Sequence, residues 1–272
     1  MKDLETEREA TLDQEPAADA SRMSFLDHLE DLRKRLINIV YYLIGGFVLC
    51  WIFHEKLFKL LSWPINKVLD NIAARTHQVL RLIIIDPTEA FTLTMKVCFV
   101  GAIFLTSPLI LYEVWKFIAP GLYQREKKYA APFVISSLLL FFTGIVVAYT
   151  VVMPPALEFL LDWGIRIGAT PQIRISEYFD LALTIVLGFG LIFEMPVVVG
   201  FLALFGLVNA GFLWRHTKYA ILIIFIVAAV ISPTGDIFNQ CIYAAPMLIL
   251  YFISIGVAAL CSRARKRPKT AA

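Results

Sequence analysis

Apolar residues in this chain neither alternate nor recur singly. They gather into six blocks separated by polar stretches, at about residues 36–53, 91–115, 131–153, 179–207, 219–231 and 237–261. Runs of roughly 20 apolar residues match the hydrocarbon thickness of a bilayer. A spanning segment must satisfy its own backbone, so each block predicts a helix, and the period-two pattern of outer-membrane strands is absent. The expected fold class is an all-α integral membrane protein with six transmembrane helices. The fifth block is short: at ~1.5 Å per residue it covers about 20 Å of a core about 30 Å thick. Either Arg215 and Lys218 snorkel while the helix runs on, or the bilayer thins around it.

The polar stretches set the orientation. Counting from Arg22 onward, the segments before block one, between blocks two and three, between blocks four and five, and after block six hold 15 Lys and Arg, against seven in the other three segments. The basic side faces the cytoplasm. An even number of spans then places both termini there (N-in/C-in). The outside segments are a long loop at about 54–90, which contains Pro64 and Pro87, a shorter one at 154–178, and a turn at 232–236. Residues 1–22 carry seven acids and no apolar run, so they read as a disordered acidic tail rather than a targeting peptide. Residues 23–262 form the membrane domain and 263–272 a basic cytoplasmic tail.

Composition agrees with the pattern. Of 272 residues 59% are hydrophobic and 17% charged, with a mean hydropathy of +0.72. These values exclude a disordered chain and an ordinary cytosolic enzyme. A net charge of +3 argues against nucleic acid as a partner. The four cysteines (Cys50, Cys98, Cys241, Cys261) lie in or at the end of apolar blocks without paired spacing, and read as small hydrophobes. The four histidines are far apart, and no phosphate-binding loop, Gly-x-Ser-x-Gly or His-Glu-x-x-His pattern occurs. No catalysis, metal or cofactor is therefore expected of this chain alone.

Three places carry candidate chemistry. Residues 24–36 read Ser-Phe-Leu-Asp-His-Leu-Glu-Asp-Leu-Arg-Lys-Arg-Leu. Ser24 with Asp27 suits a helix start, and Phe25, Leu29, Leu32 and Leu36 form one apolar stripe. This amphipathic helix feeds into the first span. It is either an interface anchor with stop-transfer arginines or a functional surface. The segment after block two contains Phe117-Ile118-Ala119-Pro120-Gly121-Leu122-Tyr123 and then Glu126, an acid among bases. Glu126 is either a solvated charge or a ligand for a cation. Glu194, in Phe193-Glu194-Met195-Pro196, falls near the middle of the fourth block. A charge there costs about 2.5–3.5 kcal/mol on insertion scales, so a functional or partner-binding role competes with a satisfied structural acid. Lys96 lies about one turn inside the second span and can snorkel.

Taken together these pieces resemble the TatC family, the signal-receptor subunits of the twin-arginine protein translocase. The resemblance covers about residues 23–262. It rests on the 24–36 segment, Pro64, Ser107-Pro108, the Phe117 to Tyr123 run with Glu126, Phe193 to Pro196, and Ser232-Pro233-Thr234-Gly235-Asp236. It implies a concave bundle of six helices in the bacterial cytoplasmic membrane. It also implies a receptor for signal peptides with two adjacent arginines, working with TatA- and TatB-type single-span partners in a multimeric complex. That complex would export folded proteins on the proton-motive force. By the same resemblance the arginine-binding acids map to Asp31 and Glu126, with Phe117 packed nearby and Arg33 a neighbour. The family usually has Glu at the first position. Here Asp31 is one methylene shorter and Glu30 precedes it, which leaves open which acid makes the contact. Glu194 would line the concave face, Pro64 would shape the outside loop and Asp236 the last turn.

The alternative is a proton-coupled small-solute transporter with Glu194 as carrier. It predicts further polar residues at matching depth or an inverted repeat, and in the sequence Glu194 stands nearly alone. A membrane-embedded enzyme would need a nucleophile pair, a metal cluster or an acid pair, and none is visible.

Overall fold

The computed structural model describes residues 25–76, 81–118, 130–232 and 236–266. The first apolar block becomes α1 (Phe25–Ile52). A second helix, α2 (His54–Thr76), follows almost at once. It occupies most of the segment at 54–90, where the apolar blocks predict a loop. Its buried stripe is Ile65, Val68, Leu69 and Ile72, with Leu57, Phe58 and Leu61 packed against the core as well, on a helix interrupted by charges too often to make an apolar block. Strand β1 (Leu82–Ile83) leads to α3 (Glu89–Ile118). The third block becomes α4 (Ala130–Val147), which passes through a π-helical stretch at Ala148–Val152 into α5 (Met153–Arg166). Helix therefore continues well past the expected end of this block at residue 153.

After β2 (Ile173–Arg174), the fourth block forms α6 (Ile175–Ile192) and α7 (Met195–Phe205), with a break at Phe193 and Glu194. Pro196 sits in the first turn of α7, where its missing N–H costs nothing. Gly206 ends α7 with φ +75°, a left-handed cap that favours glycine. A short α8 (Ala210–Arg215), capped by the Asn209 side chain, leads to α9 (Thr217–Ile231) and then α10 (Ile237–Lys266).

Five stretches are long and apolar enough to cross a membrane: His28–Ile52, Glu89–Ile118, Pro132–Arg166, Ile175–Phe205 and Ile237–Ser262. The fifth expected span, α9, has 15 residues, or about 22 Å of rise. It is the one block of the expected six that falls short of spanning length.

α1 packs along α3, α4 against α6, and α10 against both α7 and α9. The core gathers around α6, whose Phe179, Ala182, Ile185 and Phe189 are fully buried, with Val97, Val152, Met153, Tyr243 and Met247 from its neighbours. Close approach needs small residues. A Cβ on Gly46 would stand 2.7 Å from Thr106 Cγ2, and one on Gly144 would stand 2.6 Å from the Phe189 carbonyl oxygen. The outer surfaces are apolar as well. Leu36, Val40, Ile44 and Val48 are all exposed along one side of α1, as expected for helices solvated by lipid.

The segments at 54–90 and 154–178 are fastened to each other. β1 and β2 pair in parallel, Leu82 with Ile173 and Ile83 with Arg174. Beneath them the buried Glu89 carboxylate accepts from Arg174 Nε (3.2 Å), Ser176 N (3.0 Å) and Ile85 N (3.1 Å). Pro64, expected to shape a loop, lies buried inside α2. A proline cannot donate to the carbonyl four residues back, here Leu60, and the Tyr149 hydroxyl donates to that oxygen instead. Tyr178 Oη donates to the next carbonyl, Leu61, at 2.6 Å. Pro108 in α3 is handled locally: Ser107 Oγ donates to the Phe104 carbonyl at 2.8 Å.

Candidate functional site

The 24–36 segment is helical from Phe25 onward, and its two faces have opposite surroundings. The expected apolar stripe is exposed at Leu29, Leu32 and Leu36. The inward face carries His28, Asp31, Arg35, Ile39 and Tyr42, spaced by three or four residues. In a bilayer this is the favourable arrangement, because lipid takes the leucines and protein takes the charges. Ser24 and the Asp27 side chain lie outside the described residues.

The inward charges meet α3. Arg35 Nε donates to Asp31 Oδ2 at 2.9 Å, and its Nη1 donates to Glu113 Oε2 at 3.0 Å. Glu113 Oε1 accepts from Asn38 Nδ2 (3.2 Å) and Tyr42 Oη (3.3 Å). The Glu113 side chain is 5% exposed, Arg35 12% and Asp31 21%. One guanidinium thus bridges two carboxylates, leaving a net charge of −1 in a half-buried cluster. Among the described residues no donor reaches Asp31 Oδ1. One turn beyond Glu113, Phe117 stacks on His28 with ring centroids 4.4 Å apart. Two of the expected site residues, Asp31 and Phe117, therefore lie on adjoining parts of one α1–α3 seam.

Glu30 and Arg33 point elsewhere. Both are exposed, and Glu30 pairs with Lys34 at 2.9 Å on the outer surface. Glu126 lies outside the described residues, in the segment that follows Phe117 and Ile118.

Glu194 sits at the α6–α7 break and is half-buried. Ser137 Oγ donates to its Oε2, and Trp115 Nε1 donates to Ser137 Oγ at 3.3 Å. This chain of polar contacts reaches Glu194 from α3, two residues from Glu113. The other oxygen, Oε1, is buried and meets no donor among the described residues. Glu194 is the 20th of the 31 residues of the Ile175–Phe205 stretch, close to the middle as the sequence suggests, and the 11-residue α7 follows the break. Asp236 caps α10: Asn239 N and Nδ2 donate to its carboxylate at 2.8 and 3.1 Å.

Glu194 is also less solitary than the sequence suggests. Glu113 and Glu89 are buried acids, and Lys96, expected to snorkel, pairs with Asp180 of α6 at 2.7 Å. Sequence reasoning passed over all three acids. Glu113 stands close to the end of its block and Glu89 just before it, while Asp180 is the second residue of its own. The available signal was the acid itself, next to or within an apolar run.

Residues 27–246 match the family described as Sec-independent protein translocase protein (TatC). The chain is 48% identical over 247 residues to the Sec-independent protein translocase protein TatC of Koribacter versatilis, covering 91% of this chain and 89% of that one. It is 37% identical over 246 residues to the TatC protein of Aquifex aeolicus, covering 90% and 98%. A crystal structure described as the twin arginine translocase receptor TatC superimposes with a TM-score of 0.75 at 36% identity, covering 87% of this chain and all of that one.

Proposed function

Because the chain belongs to the TatC family of Sec-independent protein translocase proteins, we propose that it is the receptor subunit of a twin-arginine translocase. It is a multi-pass membrane protein with a role in transport rather than catalysis. On this reading it lies in the bacterial cytoplasmic membrane with both termini in the cytoplasm and six helices forming a concave bundle. It binds signal peptides carrying two adjacent arginines. With TatA- and TatB-type single-span subunits in a multimeric complex, it exports folded proteins on the proton-motive force.

The observation that carries the reading is Asp31. Its carboxylate already accepts from one guanidinium through Oδ2 and keeps Oδ1 without a donor among the described residues. A second guanidinium finds there a half-buried anion of net negative surroundings, and a charge-assisted bond of that kind is worth about 1.5–3 kcal/mol. Lysine lacks the planar fork and is bound less well. Asp31 rather than Glu30 is the recognising acid of α1, because Glu30 faces outward and holds Lys34. Glu126 supplies the second carboxylate, for the neighbouring arginine. Phe117, stacked on His28, gives an apolar wall for the arginine stems, and Arg33 is a flanking charge on the same helix. Glu194 acts later, in passage or partner contact. Pro64 and Asp236 act through the shapes of α2 and the α10 cap.

The test is binding of the purified protein, in lipid nanodiscs, to a signal peptide with Arg-Arg and to the same peptide with Lys-Lys. A preference for Arg-Arg that Asp31→Ala and Glu126→Ala each abolish is the expected result. Equal binding of the two peptides overturns the receptor reading and leaves the proton-coupled small-solute transporter as the next one to test.

A further inference from the structure

Arg35 makes the contact with Asp31 that a signal-peptide arginine would make. From this we propose that Arg35 is an internal competitor for the recognition carboxylate, and that Glu113 is the positioning residue that holds it back. The proposal rests on Asp31 being the recognising acid.

The geometry is that of a guanidinium divided between two anions. Arginine binds a carboxylate best through two parallel N–H groups of one edge. Arg35 gives Asp31 only Nε, at 2.9 Å, because Nη1 is drawn to Glu113 Oε2 at 3.0 Å. Nη2, which shares an edge with Nε, makes no hydrogen bond to Asp31. Glu113 is fixed in turn by Asn38 and Tyr42, so its carboxylate does not follow Arg35. The result is an Asp31 held in place through Oδ2 and open at Oδ1. Asp31 and Arg35 are one helical turn apart, close enough for a two-pronged grip. Without the Glu113 charge the guanidinium turns, Nη2 reaches Oδ1, and the site closes on its own arginine. Glu113 would thus control affinity for a peptide that it does not touch.

The two conservative changes have opposite signs. Glu113→Gln keeps the shape and the Asn38 and Tyr42 contacts and removes the charge that restrains Arg35. Arg-Arg peptide binding should weaken about tenfold, the scale of one charge-assisted bond. Arg35→Lys keeps a cation beside the buried Glu113 and removes the fork, so binding should be at least as tight as in the parent. Glu113→Gln with Arg35→Gln removes both charges and should restore most of what Glu113→Gln loses. A role in folding alone would weaken binding in all three. Parent, Asp31→Ala and these variants are measured in nanodiscs with the Arg-Arg and Lys-Lys peptides, each checked for thermal unfolding. If the parent shows no Arg-Arg preference, or Asp31→Ala does not change it, the recognition reading fails. If both hold and Glu113→Gln binds normally, or Arg35→Lys binds more weakly, the competitor proposal alone is overturned.

Discussion

Tyr149 donates its hydroxyl to the carbonyl oxygen of Leu60, the oxygen that Pro64 leaves without its helical partner. The pair joins the π-helical stretch after α4 to α2, and the Trp63 ring stacks on Tyr149 beside it at 5.8 Å. Tyr149→Phe should destabilise the protein by about 1 kcal/mol, the net worth of one hydrogen bond. In a Pro64→Ala background the Leu60 carbonyl regains an N–H from its own helix, and the same change should cost markedly less. A double-mutant cycle by thermal unfolding in detergent measures the coupling, and additivity of the two changes would sink this account of Pro64.

The Arg35–Glu113 pair is nearly buried, so removing one member strands the other. Arg35→Met should cost about 3–5 kcal/mol, and adding Glu113→Gln should recover most of that loss. Denaturant or thermal unfolding of the two variants reads the difference. Equal stability would place the pair in a solvated environment that its exposure does not suggest.

Gly144 faces the Phe189 carbonyl oxygen at a distance that a methyl group cannot share. Gly144→Ala should push α4 from α6 and cost about 1–3 kcal/mol. Gly45→Ala, where nothing lies within 4 Å, should be neutral or slightly stabilising through helix propensity. The two variants differ only in neighbours, and their unfolding temperatures test the packing directly.

Glu194→Ala should leave Arg-Arg peptide binding within about twofold of the parent while reducing export in cells, since it lies off the α1–α3 seam. Ser137→Ala removes the hydroxyl that reaches Glu194 Oε2 and should mimic part of that loss. Normal export in both variants would make Glu194 a structural acid.

How much of this was legible in the sequence depended on the length of the signal. The long apolar blocks marked α1, α3, α4, α6 with α7, and α10, because a bilayer demands some 20 apolar residues in a row. α2 was not found by that criterion. Its apolar residues are interrupted every few positions by Lys, Asn, Asp and Arg, so they form no continuous block. Glu194 was legible as a charge within an apolar block, and Asp31 through the family resemblance. Glu113 was equally visible as a letter. Its importance, however, comes from Arg35, 78 residues earlier, and no local pattern reports that contact. Pro64 was noted through the resemblance and assigned to a loop, since the acceptor for the Tyr149 hydroxyl exists only after α2 and the α4–α5 segment have met.

The β1–β2 pair and the Glu89 cluster behind it act as a hinge pin. Four backbone positions and one buried carboxylate bind the outer ends of the helices around α3 and α6 to each other. The end that carries Asp31 and Phe117 has no such strand pair among the described residues, so the frame is tied more firmly at the end opposite these two residues than beside them.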